Sequence, residues 1–172
     1  MHLGILIITL FANNLSDTAL AGVGIGSAFN QLFCVTLLTG LNQAQQTLVS
    51  QAYGYGNLSL CGVLLNRGRI ILILIFVPLT MVLSYADSIL DALNQDAEVT
   101  QCAFSYILLS TPGTFFFLMF DLTRKFLNSM TITWIPMAAQ IFATVMLPFW
   151  CHMMLERYDG MILGLAMAYN MT

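Results

Sequence analysis

Charge is the scarcest commodity in this sequence. Of its 172 residues only 8% are Asp, Glu, Lys or Arg, against 59% hydrophobic residues. Soluble domains carry about a quarter charged residues, so this chain lacks the polar surface that water demands. Five Lys and Arg make no basic patch, and a net charge of −3 gives no reason to expect a nucleic-acid partner. Paired cysteines are missing too. Cys34, Cys61, Cys102 and Cys151 form no CxxC and have no histidine at ligand spacing. No metal or redox site is therefore expected, and small apolar packing residues are the plainer reading. A disulfide between Cys102 and Cys151, both near one membrane face, is the lesser alternative. His2 and His152 have no nucleophile or carboxylate in register, so no catalytic residue and no enzyme is expected. Met1–Leu10 is apolar without a basic n-region, which argues against a cleavable signal peptide and suggests a chain that begins inside a membrane helix.

What is present is long apolar runs, with the few charges as punctuation. No charge falls between Asp17 and Arg67, within Ile70–Ala86, within Val99–Phe120, within Phe126–Leu155, or after Gly160. A spanning helix needs about 20 predominantly apolar residues. A strand or loop there would leave backbone groups unsatisfied in lipid. The expected fold is an all-α integral membrane protein, a polytopic transmembrane helix bundle. Residues 1–172 form a single membrane domain with spans at about 1–12, 20–41, 63–85, 102–120, 132–151 and 161–172. The partner read directly from this pattern is the lipid bilayer.

The connections between spans alternate sides. One side then holds Arg67, Arg69, Arg124 and Lys125. The other holds Arg157 with Asp17, Asp87, Asp91, Asp96, Glu98, Glu156 and Asp159. This is the positive-inside pattern and predicts that Gln45–Arg69 and Asp121–Thr131 are cytoplasmic.

Polar and small residues inside spans are the candidates for contact or function. Gly22 and Gly26 form a GxxxG pair, as do Gly160 and Gly164; close helix packing is the bland reading and a flex point the sharper one. Asn30 and Gln31 lie mid-span and should face other helices or a water-filled cavity. They read either as interhelical hydrogen bonders or as cavity walls that touch substrate, and so do Gln140 and the Ser110–Thr111 pair beside Pro112. Pro112 removes a helix hydrogen bond and predicts a kink. Asp121 stands near the basic edge, with Arg124 at i+3 as its expected ion-pair partner and a proton relay as the weaker alternative. No acid sits deep within a span, where a coupling ion or proton normally requires one.

The most specific stretch is Gly40-Leu41-Asn42-Gln43-Ala44-Gln45-Gln46-Thr47-Leu48-Val49-Ser50-Gln51-Ala52-Tyr53-Gly54-Tyr55-Gly56-Asn57. It resembles the G-x-x-x-A-x-x-T-L-x-x-Q-A-Y-G-A-x-N signature after the second helix of the multidrug and toxic compound extrusion (MATE) family. Gly40, Ala44, Thr47, Leu48, Gln51, Ala52, Tyr53, Gly54 and Asn57 match it, and Tyr55 replaces an alanine. Leu15–Gly22 is similar to the family's outer loop before helix two. Leu93–Val99 is similar to its L-G-Q-D-P-E-I loop, departing at Asn94 and Ala97. Lys125–Met130 is similar to R-F-L-Q-x-Q, with Asn128 and Met130 in place of glutamines. Pro112, Pro136 and Tyr158-Asp159-Gly160 also fall where the family has counterparts.

The resemblance implies about five to six spans of a twelve-helix transporter with two lobes, namely a partial amino-terminal lobe from late helix one to early helix six. It implies secondary active antiport: organic cations, drugs or metabolites exported by alternating access against protons or sodium ions, in a plasma membrane or vacuole-like membrane. No cofactor is implied beyond the coupling ion. The expected partners are the bilayer, a small-molecule organic substrate and a carboxy-terminal lobe. Some members carry a coupling aspartate in helix one, but Met1–Leu10 has no carboxylate. Asn30, Gln31, Pro112 and Gln140 are the substrate-cavity candidates. Gly40, Thr47, Gln51, Ala52, Tyr53, Gly54, Gly56 and Asn57 are expected to shape a gating turn, with Gly54 and Gly56 permitting unusual backbone angles. The alternative is a transport-incompetent fragment, or a membrane scaffold that needs a partner lobe.

Overall fold

A computed structural model describes residues 17–92 and 96–157. The expected spans at 1–12 and 161–172, the Gly160/Gly164 pair, His2 and Tyr158–Gly160 lie outside the described residues. The described chain runs as α1 (Asp17–Asn30), a π-helical segment (Gln31–Thr36), α2 (Leu37–Gly54), α3 (Leu58–Leu83), α4 (Ala86–Ala92), α5 (Ala97–Ser129) and α6 (Trp134–Arg157). Helix α1, the π segment and α2 are continuous. Four stretches, Leu20–Gly54, Leu58–Leu83, Ala97–Ser129 and Trp134–Met153, are long and apolar enough to cross a membrane. Among the described residues there is no strand. The protein is thus an all-helical, multi-pass membrane protein.

The helices overrun the apolar runs that announce them. The span expected at 20–41 continues as helix to Gly54, and the one expected at 102–120 runs from Ala97 to Ser129. The reason is physical. Hydropathy marks where hydrocarbon ends, whereas a helix ends only at a breaker or cap. Asn42–Gln51 is polar but holds Gln43, Ala44, Gln45, Gln46, Leu48 and Gln51, which are good helix formers, and no Gly or Pro. At about 1.5 Å per residue, 35 residues reach roughly 50 Å, well past a 30 Å hydrocarbon core. The surplus of α2 and α5 projects at the end that carries Arg67, Arg69, Arg124 and Lys125, the basic end.

The core lies between α2, α3, α4 and α5, where Cys34, Leu38, Leu72, Phe76, Leu83, Ile107, Leu118 and Leu122 are buried together. Phe76 and Phe115 bring their ring centroids to 5.1 Å across α3 and α5. Nearer the basic end Val49 and Ala52 pack on Cys61, with Leu64 and Phe126 beside them. Large apolar side chains also cover the outside: Leu74 is 71% exposed, Phe116 and Phe142 66%. Such a surface would associate in water but is the expected face toward lipid. All four cysteines are free, so the alternative of a Cys102–Cys151 disulfide is not realised.

Both turns at the basic end are built the same way. After α2, the Gly56 N–H donates to the Tyr53 carbonyl (2.9 Å) and the Asn57 N–H to the Ala52 carbonyl (3.0 Å). After α5, the Thr131 N–H donates to Asn128 O and the Ile132 N–H to Leu127 O, each at 3.0 Å. Each is a Schellman cap, which needs a left-handed residue at the position after the cap. Gly56 takes φ 75° there, and Thr131 takes φ 64° with a β-branched side chain. L-residues lose about 1–2 kcal/mol in that region. Gly56→Ala should therefore lower stability by about 1 kcal/mol, and Thr131→Gly should raise it by a similar amount. Thermal unfolding of the detergent-solubilised chain checks both, and shifts of the same sign would refute the strain assignment. Gly54, by contrast, is the last residue of a regular helix; of the two glycines expected to relax the backbone, only Gly56 does so.

Candidate functional site

The site is built along the seam between the α1–α2 helix and α5. Gly22 and Gly26 bring α1 onto α5 at backbone distance. A Cβ on Gly22 would stand 2.6 Å from the Cys102 Cβ, and one on Gly26 would stand 2.9 Å from a Tyr106 ring carbon and 3.1 Å from the Ala103 carbonyl oxygen. Gly24, between them, faces open space. The GxxxG pair is a packing device, and its partner is α5.

One helical turn further, the seam turns polar. Asn30 donates from Nδ2 to the Ser110 hydroxyl at 2.7 Å, and Ser110 donates in turn to the Tyr106 carbonyl at 2.7 Å. Asn30 is buried, yet its Oδ1 accepts no hydrogen bond, nor does the buried Oε1 of its neighbour Gln31. The π segment starts at this point. Its widened turns release carbonyls from the regular ladder; the Thr36 hydroxyl donates to the Gln31 carbonyl at 2.8 Å. Opposite, Pro112 lies two residues beyond Ser110 inside α5, where it deprives Leu108 of its usual donor. Both helices are thus irregular at the same depth. Two unpartnered buried acceptors are costly in hydrocarbon, by about 1–3 kcal/mol each. They suit a group that arrives with N–H donors or positive charge.

Towards the basic end the seam is charged. Asp121 is almost fully buried and Lys125 nearly so. Asp121 Oδ2 lies 2.9 Å from Lys125 Nζ and accepts from Asn42 Nδ2 at 3.0 Å; Oδ1 accepts from Arg124 at 2.5 Å. Lys125 also donates to the Thr39 carbonyl at 3.1 Å, and the Ser129 hydroxyl to the Gln46 carbonyl at 3.2 Å. The i,i+3 pair with Arg124 forms as its spacing suggests. The partners from α2 were not marked by any local pattern. Both carboxylate oxygens are engaged, and the cluster ties α2 to α5. Among the described residues, no group of three or more His, Cys, Asp or Glu converges as a metal ion would require.

The remaining candidates are more dispersed. Gln140 is half-buried on α6, where its carbonyl accepts the Thr144 hydroxyl at 2.8 Å. Among the described residues no hydrogen bond joins Gln140 or Gln31 to the Asn30–Ser110 pair. Gly40 and Thr47 are exposed on α2, and Thr47 donates to the Gln43 carbonyl. Gln51, Ala52, Tyr53, Gly56 and Asn57 make the first Schellman turn. Asn57 then caps α3 by accepting the Leu60 N–H at 3.0 Å on its side chain. Gln45 was missed as an individual residue: it is buried against Gly68 of α3 with both amide atoms unpartnered.

A bundle of long apolar helices with buried polar seams and an irregular mid-membrane turn defines a polytopic membrane protein. Residues 2–151 match the MatE family profile, and the chain belongs to that family. It is 32% identical over 126 residues to Multidrug and toxin extrusion protein 2 of Pongo abelii, covering 73% of this chain and 22% of that protein. It is 26% identical over 168 residues to Protein DETOXIFICATION 36 of Arabidopsis thaliana, covering 95% of this chain and 32% of the relative. The crystal structure of the eukaryotic MATE transporter AtDTX14 superimposes with a TM-score of 0.95 at 22% identity, over 99% of this chain and 38% of that one. The chain therefore spans between about a fifth and a third of the length of these curated relatives.

Proposed function

We propose that this chain forms part of the amino-terminal lobe of a secondary active antiporter that exports organic cations, drugs or metabolites by alternating access. The observation that carries the reading is the pair of unpartnered buried acceptors, Asn30 Oδ1 and Gln31 Oε1, at the start of the π segment. A membrane-embedded acceptor without a donor is a natural contact for an ammonium or amine of a substrate. The irregular backbone beside it fits the rule that broken helices in transporters line cavities. Family membership supports the same assignment.

The coupling ion, a proton or sodium, is assigned to an acid in a second lobe, because Asp121 is already compensated by two cations, Arg124 and Lys125. The positive-inside pattern supports a cytoplasmic basic end, and the membrane proposed is a plasma membrane or a vacuole-like membrane.

The test is efflux of a fluorescent organic cation from vesicles that contain this chain, alone and extended by its downstream coding sequence. The extended protein should export dye until the proton and sodium gradients are collapsed, and Gln31→Leu should raise the concentration for half-maximal export. Dye retention by an extended protein that inserts normally would overturn the antiporter reading. Export by neither form would leave the chain a membrane scaffold.

A further inference from the structure

Helix contacts at the basic end set four cations at one depth. Asn42 of α2 meets Asp121 of α5, Gln45 rests on Gly68 of α3, and Gln46 meets Ser129. Arg67 and Arg69 flank Gly68, while Arg124 and Lys125 lie between Asp121 and Ser129, so the four share a belt. The belt's one carboxylate, Asp121, is held by Arg124 and Lys125. Arg67 and Arg69 are exposed, and among the described residues neither has an ion-pair partner. The acids Asp87, Asp91, Asp96 and Glu98 stand beyond the other end of α3, which is about 24 Å from Arg67 along the helix. An unpaired guanidinium at the edge of hydrocarbon seeks an anion.

What lies along the helix from Arg67 identifies the anion. Helical spacing puts Ile70, Ile71, Leu74, Pro78 and Met81 on the face of Arg67, at i+3, i+4, i+7, i+11 and i+14. All five are exposed, while Leu72, Phe76 and Leu83 fill the opposite, buried stripe. The arginine therefore heads an apolar ladder about 20 Å long, which exceeds one leaflet of hydrocarbon. Arg69 lies on the flank and adds to the local potential. We propose that this face of α3 binds an anionic phospholipid, with its phosphate on Arg67 and an acyl chain along Ile70, Ile71, Leu74 and Met81. A soluble phosphate would leave the ladder unused. A zwitterionic lipid brings its own ammonium group to compete with the arginine.

Native mass spectrometry of the detergent-solubilised chain tests this, using phosphatidylglycerol and phosphatidylcholine of matched acyl chains. Phosphatidylglycerol should be retained about fivefold more than phosphatidylcholine, the size expected for one basic residue at a membrane surface. Arg67→Gln should abolish that preference, Arg67→Lys should keep part of it, and Glu98→Gln at the opposite end should leave it intact. Leu74→Asn should weaken retention of both lipids. Equal retention by the unaltered chain, or a preference that survives Arg67→Gln, would overturn the proposal. Displacement of the lipid by millimolar inorganic phosphate would reassign the site to a soluble anion. Loss of the preference in the downstream-extended protein would reassign the face to protein.

Discussion

Asp121→Asn should lower the stability of the chain by about 3 kcal/mol or more, the cost of stranding a buried cation. The asparagine keeps the shape of the side chain but no longer compensates Lys125, which is buried beneath it. Arg124 adds little to this loss, because its side chain is 39% exposed and finds other solvation. For a chain of this size the expected shift in Tm is on the order of 10 °C. Adding Lys125→Met to Asp121→Asn should recover most of it, since replacing both members of a buried pair by neutral groups is often harmless. Thermal unfolding in detergent reads all three proteins. A single variant as stable as the parent, or a double variant no better than the single, would show that the cluster does not tie α2 to α5.

The second large effect concerns the three glycines of α1. Gly22→Ala and Gly26→Ala should each cost about 1–3 kcal/mol, because the new methyl group meets Cys102 or the Ala103 carbonyl at less than contact distance and the helices must part. Gly24→Ala, one turn position away and facing open space, should be neutral or slightly stabilising. The contrast is sharp because all three changes are chemically identical and lie within one turn of each other. Cys102→Gly should relieve Gly22→Ala, since it removes the very Cβ that clashes. Denaturant or thermal unfolding of the four variants measures this. Equal effects at Gly22, Gly24 and Gly26 would mean that propensity rather than the α1–α5 contact governs them.

These predictions also show which features the sequence makes legible. Spans stand out because thirteen charges in 172 residues leave long apolar gaps, and their sides follow from where Arg67, Arg69, Arg124 and Lys125 fall. Helix ends do not, because nothing between Asn42 and Gly54 breaks a helix once the hydrocarbon ends. Asp121 and Arg124 could be paired at i,i+3, since that contact is local. Asn42 lies 79 residues from Asp121, and its pairing depends on the register of two packed helices. The π segment, Gln-Leu-Phe-Cys-Val-Thr, carries no proline or glycine to mark it. Asn30 was visible as a polar residue in a span, whereas its partner Ser110 was identifiable only as a neighbour of Pro112. The Gly22/Gly26 spacing announced a close approach without saying to which helix.

Labelling of two introduced cysteines tests most directly whether the helices cross a bilayer with their basic end inside. Tyr55 is exposed at the turn before α3 and Ser88 is exposed beyond its other end, so one span separates them. In a chain with Cys34, Cys61, Cys102 and Cys151 replaced by alanine, Tyr55→Cys and Ser88→Cys would be labelled with an impermeant maleimide in sealed vesicles of known sidedness. Tyr55→Cys should react only from the cytoplasmic face and Ser88→Cys only from the opposite face. Reaction of both from one face would mean that α3 does not span the membrane, and would contradict the assignment.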